Sequence, residues 1–158
     1  MSYVSPEMRA KFDEITGRYP RRQAAVIPLL HLVQEAHGSL PAEAQREVAE
    51  YLGIPAVKVQ EVVSFYSMFT EKPRGRHHLM VCRTLSCALG GCQEVSATVE
   101  RVLCIRHGQV TADGMFSVEE VECLAACDMG PVMQVGDTLH GHLDAGKTEA
   151  LIEELKKR

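Results

Sequence analysis

At 158 residues, with 46% hydrophobic and 24% charged side chains, the chain has the composition of an ordinary globular protein and not of a disordered one. The net charge of −4 is unevenly placed: residues 1–75 hold 9 basic and 9 acidic side chains, residues 76–158 hold 8 and 12. An acidic second half argues against a nucleic-acid partner, which wants a basic patch, and no stretch approaches the roughly 20 apolar residues that cross a bilayer.

In chain order, Ser5-Pro6-Glu7 reads as a helix start, with an N-cap serine, proline at the first helical position and an acid in the first turn. Met8, Phe12 and Ile15 give that helix an apolar face before Gly17 and Pro20 stop it. A second helix is expected from about Gln23 to His37, with Val26, Leu29, Leu30 and Val33 at helical spacing; Pro28 falls near its first turn or kinks it. Pro41 opens a third helix, with Ala44, Val48, Ala49 and Leu52 facing inward as far as Gly53. Pro55 opens a fourth, with Val59, Val62 and Val63 inward. Helices three and four superficially resemble a helix-turn-helix, which would suit a redox-sensing regulator. The helix after the turn, however, offers Lys58, Gln60 and Glu61 in place of a basic face, so packing explains the pattern better.

The polar run Glu71-Lys72-Pro73-Arg74-Gly75-Arg76 marks a boundary, and beyond it the apolar period changes. His78-Leu79-Met80-Val81-Cys82 reads as a buried strand running into a cysteine loop that ends at Gly90-Gly91. A helix follows from about Cys92 to Ile105, with Val95, Val99, Val102 and Leu103 on one face. Met115 to Glu122 reads as a strand entering a second cysteine loop. Pro131 to His140, turning at Gly136-Asp137, reads as a hairpin, and Gly146 to Lys157 as a last helix. The expected fold class is α+β: an N-terminal helical region over 1–72, then a β-α-β-β-α domain over 73–158.

Chemistry concentrates in two cysteine pairs. Cys82 and Cys87 have four residues between them, and Cys123 and Cys127 have three. Four thiolates on two loops make a tetradentate site for a metal or an iron–sulfur cluster. Mononuclear zinc usually takes two-residue spacings within a pair, or histidine in the second pair, and neither occurs here. The wider loops favour a [2Fe–2S] cluster, with structural zinc as the alternative. Small residues such as Ser86, Ala125 and Ala126 let backbone N–H groups approach bridging sulfides. No histidine lies in either loop for a Rieske centre, and no Cys-x-x-Cys is present for a thioredoxin-type dithiol. His77 or His78 could pair with a cysteine nucleophile, but no local signature supports it. Cys92 is expected to be a buried core thiol, with replacement of Cys87 as a ligand the alternative, and Cys104 a small hydrophobe. His140 and His142 read as an ordinary exposed pair on a strand face. Met68, Met80, Met115, Met129 and Met133 read as core filler.

With these residues in view, the chain resembles a known family: the thioredoxin-like [2Fe–2S] ferredoxin subunit of NADH:quinone oxidoreductase, the E-type subunit of respiratory complex I. The likeness runs through Ala24 to Leu30, Val63 to Ser67, His78 to Cys87, Gly108 to Phe116, Val121 to Leu124 and Gly130-Pro131-Val132. It implies a helical N-terminal region followed by a thioredoxin-like domain, with Cys82, Cys87, Cys123 and Cys127 ligating one [2Fe–2S] cluster. It implies docking on a flavoprotein subunit that holds FMN and the NADH site, within the larger complex I assembly. The chain would then be a subunit of an oxidoreductase, exchanging single electrons with that FMN and lacking a catalytic site of its own; no Gly-x-Gly-x-x-Gly occurs in it. Closely related subunits serve NAD-dependent formate dehydrogenases and NAD-reducing hydrogenases, and a redox-sensing regulator or a zinc-stabilised assembly protein is the remote alternative. The location implied is cytoplasmic, peripheral to the inner membrane through the complex, without direct membrane insertion. The chain departs from the family pattern at Ala125, where relatives often have glycine and a positive φ would be strained, and at Gly130, where Ala-Pro is common.

Overall fold

The computed structural model describes residues 2–157, which separate into two compact units, one up to Pro73 and one from Arg74. The first unit is helical. Helix α1 (Pro6–Thr16) starts where Ser5 accepts the Met8 N–H on its side-chain oxygen, at 3.2 Å. A 3-10 turn over Arg22–Ala25 leads into α2 (Val26–His37), so Pro28 lies in the first turn, where a missing N–H costs nothing. Helix α2 ends on Gly38 in the left-handed conformation, and α3 (Ala42–Leu52) ends likewise on Gly53, each glycine taking a backbone angle that a side chain would strain. Helix α4 (Ala56–Phe65) follows Pro55.

The faces expected from spacing are the buried ones. Phe12, Leu29, Leu30, Val33, Ala44, Val48 and Val59 are fully buried in one apolar cluster. Each large side chain among them contributes about 1.5–3 kcal/mol by leaving water. Packing accounts for the turn between α3 and α4, as Val48 and Leu52 of α3 and Val59 and Val63 of α4 are buried in the same cluster.

The second unit is a four-stranded sheet in the order β2-β1-β3-β4. Strand β1 (His77–Cys82) pairs parallel with β2 (Phe116–Val121) and antiparallel with β3 (Met133–Val135), which turns at Gly136-Asp137 into β4 (Thr138–His140). A parallel pair needs a long crossover. Two helices supply it: α5 (Leu85–Leu89) and α6 (Cys92–Leu103). Helix α7 (Ala145–Leu155) closes the unit, capped by Asp144, whose carboxylate accepts the Lys147 N–H at 2.8 Å. Leu79 and Val81 of β1, Val95 and Val99 of α6 and Ile152 and Leu155 of α7 form the core on one sheet face.

Four details differ from the sequence reading. The first cysteine loop contains a short helix, α5, instead of irregular chain. Five residues are too few for helical periodicity to register. Cys104 is exposed, because α6 ends there in a left-handed turn (φ 55°) that carries it off the apolar face. His142 likewise has φ 51° beyond the end of β4, so it does not share a strand face with His140. Of the methionines, Met133 is fully buried while Met68 is exposed.

Candidate functional site

Strand β1 delivers Cys82 to the edge of the core. Its ladder holds as far as the cysteine: Cys82 N–H donates to the Val132 carbonyl and Arg83 N–H to the Val121 carbonyl, both at 3.1 Å. The chain then turns at Thr84, in extended conformation, into α5, where Cys87 is the one buried residue among its five. On the other side, β2 ends at Val121 and releases the loop that carries Cys123 and Cys127. Cys123 and Cys127 are exposed, and the latter opens a 3-10 turn, Cys127–Met129.

That second loop is pinned from behind. The His142 N–H donates to the Met129 carbonyl at 2.6 Å and the Leu143 N–H to the Pro131 carbonyl at 3.1 Å. Gly141 makes the approach possible, since a Cβ there would lie 2.6 Å from that of Met129. Gly130 lies at the front of the site, where an added Cβ would meet Cys87 Sγ at 3.5 Å and the Cys127 carbonyl oxygen at 3.7 Å, both ordinary contact distances. Two loops distant in sequence therefore adjoin at Gly130, and only the approach from behind, at Gly141, demands a glycine.

The structure buries Cys82 and Cys87 together with Cys92, Ala126 and Val132. The Cys82 sulfur also lies 3.3 Å from the Thr84 hydroxyl and 3.3 Å from the Glu122 carbonyl oxygen, one residue before Cys123. Cys123 Sγ accepts the Ala125 N–H at 3.3 Å. The four sulfurs are not gathered into one ion-sized cage: among the described residues no three His, Cys, Asp or Glu side chains form a group that could hold a single metal ion.

The electrostatics of the buried pair is asymmetric. Burial pushes the Cys82 thiol up, but the Thr84 hydroxyl, the Thr84 and Leu124 N–H groups and the Cys87 thiol outweigh it and bring it down to about 7. Cys87 is pushed up to about 11, first by burial and then by its neighbour Cys82, against one opposing Val132 N–H. Burial, with Cys82 and Glu120 nearby, also raises Cys92. The first proton to leave the pair is thus lost from the Cys82 side, where a hydroxyl, two N–H groups and a thiol meet the negative sulfur. N–H groups directed at Cys82, Cys87 and Cys123 are the surroundings that thiolate ligands require. This donor set, two thiol pairs on adjoining loops with backbone N–H groups directed at sulfur, fits a [2Fe–2S] cluster.

The other sequence candidates differ in where they fall. Cys92, 3% exposed at the start of α6, is buried in the same cluster as Cys82 and Cys87. His77 and His78 sit at the opposite end of β1, so even His78 lies about 13 Å along the strand from Cys82 at about 3.3 Å per residue. Sequence reasoning missed Thr84 and Gly141. A threonine two residues after a cysteine is a weak signal, and a glycine needed for a tertiary approach leaves none.

Comparison with known proteins places these loops in context. Residues 12–156 match the family model described as thioredoxin-like [2Fe–2S] ferredoxin. The chain is 44% identical over 149 residues to the second E-type subunit of the NADH-quinone oxidoreductase of Rhizobium meliloti, covering 94% of this chain and 89% of that protein. It is 43% identical over 127 residues to NADH-quinone oxidoreductase subunit 2 of Thermus thermophilus, covering 79% and 70%. Among solved structures, an NAD+-reducing [NiFe]-hydrogenase aligns with 85% of this chain and 22% of its own at a TM-score of 0.73 and 24% identity, a likeness of fold alone.

Proposed function

Because the chain belongs to the thioredoxin-like [2Fe–2S] ferredoxin family, we propose that Cys82, Cys87, Cys123 and Cys127 hold its cluster, and that it exchanges single electrons with the FMN of a partner flavoprotein. The chain is an electron-transfer subunit of the NADH-quinone oxidoreductase type, and 44% identity across nearly its whole length to an E-type subunit of that enzyme is the observation that carries this. No helix among the described residues is long and apolar enough to cross a membrane, so attachment to one is assigned to the larger assembly. The hydrogenase likeness, being of fold alone, does not favour the alternative assembly.

When bound, a [2Fe–2S] cluster supplies a one-electron couple. The residues of this chain do the rest. Cys82 and Cys87 offer buried sulfurs whose charge the Thr84, Leu124 and Val132 N–H groups stabilise, and Cys123 and Cys127 offer sulfurs from the surface loop. Cys87, Ala126 and Val132 exclude water from the inner side. Burial, these hydrogen bonds and nearby charge are the levers on the potential.

Single cysteine-to-alanine variants test the ligand set. Alanine at 82, 87, 123 or 127 is expected to lower bound iron and sulfide and bleach the visible chromophore, while Cys92→Ala and Cys104→Ala retain full occupancy. A Cys87→Ala protein that keeps its cluster while Cys92→Ala loses it would move the ligand role to Cys92.

A further inference from the structure

Helix α5 is nearly bare. Leu85 is 74% exposed and Leu89 82%, one helical turn apart, and Ser86 and Ala88 are exposed beside them. A five-residue helix does not hold itself in water, and two leucines left outside forgo most of the apolar burial that usually fixes such an element. Cys87, which the leucines flank, turns the other way into the cysteine cluster. Cys123 and Ala125 of the second loop are exposed as well.

The rim of this surface is acidic. Glu94, in the first turn of α6, and Asp128, beside Cys127, are exposed, and Arg83, two residues before Leu85, is paired with Glu122. An apolar centre with a charged margin is the anatomy of a protein interface. Whatever covers α5 sits within one helical turn of Cys87, which places the contact where an electron has to pass.

We propose that Leu85 and Leu89 are the central anchor on which the redox partner docks, and that the occupant is a flavoprotein presenting an apolar socket with a basic rim. This rests on the reading that the chain exchanges electrons with such a protein. In that exchange the reduced flavin loses one electron and one ferric iron gains it, and no bond in this chain forms or breaks. The acidic margin steers the encounter and the leucines hold the complex.

The test uses the cluster-loaded full chain and the FMN-carrying, NADH-oxidising subunit from the same cell, with binding read by calorimetry and electron arrival by bleaching of the chain's visible absorption. Leu85→Ser/Leu89→Ser is expected to weaken binding at least about 30-fold, the size of a single hot-spot loss, with the chromophore and reduced-state EPR spectrum unchanged. Glu94→Gln/Asp128→Asn is expected to slow association and flatten its salt dependence, leaving dissociation nearly unaltered. Tight binding that the leucine double variant leaves unchanged would overturn the proposal while preserving the electron-transfer reading. Wild-type protein that neither binds the flavoprotein nor is reduced by it would instead remove the reading on which the proposal rests. Sedimentation showing a dimer of the chain that the leucine substitutions dissolve, or flotation of the wild type with anionic vesicles that they abolish, would give α5 another occupant and overturn the proposal.

Discussion

Ala125 shows how much one residue of the second loop is made to bear. Its φ of 55° lies in the left-handed region, where a Cβ crowds the following carbonyl and costs about 1–2 kcal/mol. The loop accepts that cost because the Ala125 N–H reaches Cys123 Sγ and the next residue, Ala126, packs against the buried cysteines. Glycine would relieve the strain but adds freedom to the unfolded chain, offsetting part of the gain. Ala125→Gly is therefore expected to stabilise the protein by about 0.5–1 kcal/mol, read from the urea midpoint. A fall in the midpoint would show that the alanine methyl packs better than its exposure suggests. The position was legible in the sequence, as a departure from glycine where the family often has one. The partners of the strained residue were not, because hydrogen bonds across a loop leave no pattern in spacing.

Helix α3 carries a polar tether as well as an apolar face. Glu47 accepts from the Ser2 hydroxyl at 2.7 Å and from the N–H groups of Tyr3 and Val4 at 3.1 and 2.9 Å, holding the segment before α1 against the bundle. Burial pushes its carboxyl up, but these hydrogen bonds outweigh burial and keep it below its ordinary 4.5. A carboxyl held down in the folded state contributes fully above its unfolded value of about 4.3 and loses the contribution as pH falls through the folded one. Amide exchange should accordingly show protected Tyr3 and Val4 N–H groups in wild type near pH 6, and weakly protected ones in Glu47→Gln. The difference should close as pH falls below the ordinary carboxylate range and the wild-type carboxyl takes up its proton. Equal protection in both proteins at pH 6 would place the tether elsewhere. The helices themselves were readable because prolines and glycines punctuate them and apolar residues recur at 3.6. Glu47 drew no notice as an anchor, since its partners lie some 43 residues or more away in sequence. Helix α5 was hidden for the opposite reason: it is too short, and too exposed on every side but that of Cys87, to leave an amphipathic trace.

At the scale of the whole molecule, the change of apolar period near residue 73 coincides with the division between the helical unit and the sheet unit. We propose that these units are separate domains joined by the polar run 71–76. Limited trypsin digestion is expected to cut first there and leave two resistant fragments, whereas a first cut at Arg46 of α3 or Arg101 of α6 would argue against a linker between two separately stable domains. The strand order was outside what spacing could tell, because parallel pairing of β1 with β2 and insertion of β3 beside β1 depend on how apolar faces stack and not on local pattern. What spacing did carry was the chemistry. Two cysteine loops, wider than zinc pairs usually are and without histidine for a Rieske centre, adjoin in the folded unit with backbone N–H groups on their sulfurs.

The central claim is that this fold holds a one-electron cluster on those loops. EPR of anaerobically purified full-length protein, before and after dithionite, with iron and acid-labile sulfide assayed on the same sample, tests it most directly. The account predicts a red-brown protein with about two iron and two sulfide per chain, silent when oxidised and giving an S = 1/2 signal when reduced. A colourless protein holding one zinc and silent in both states would contradict it and leave the cysteines a structural role.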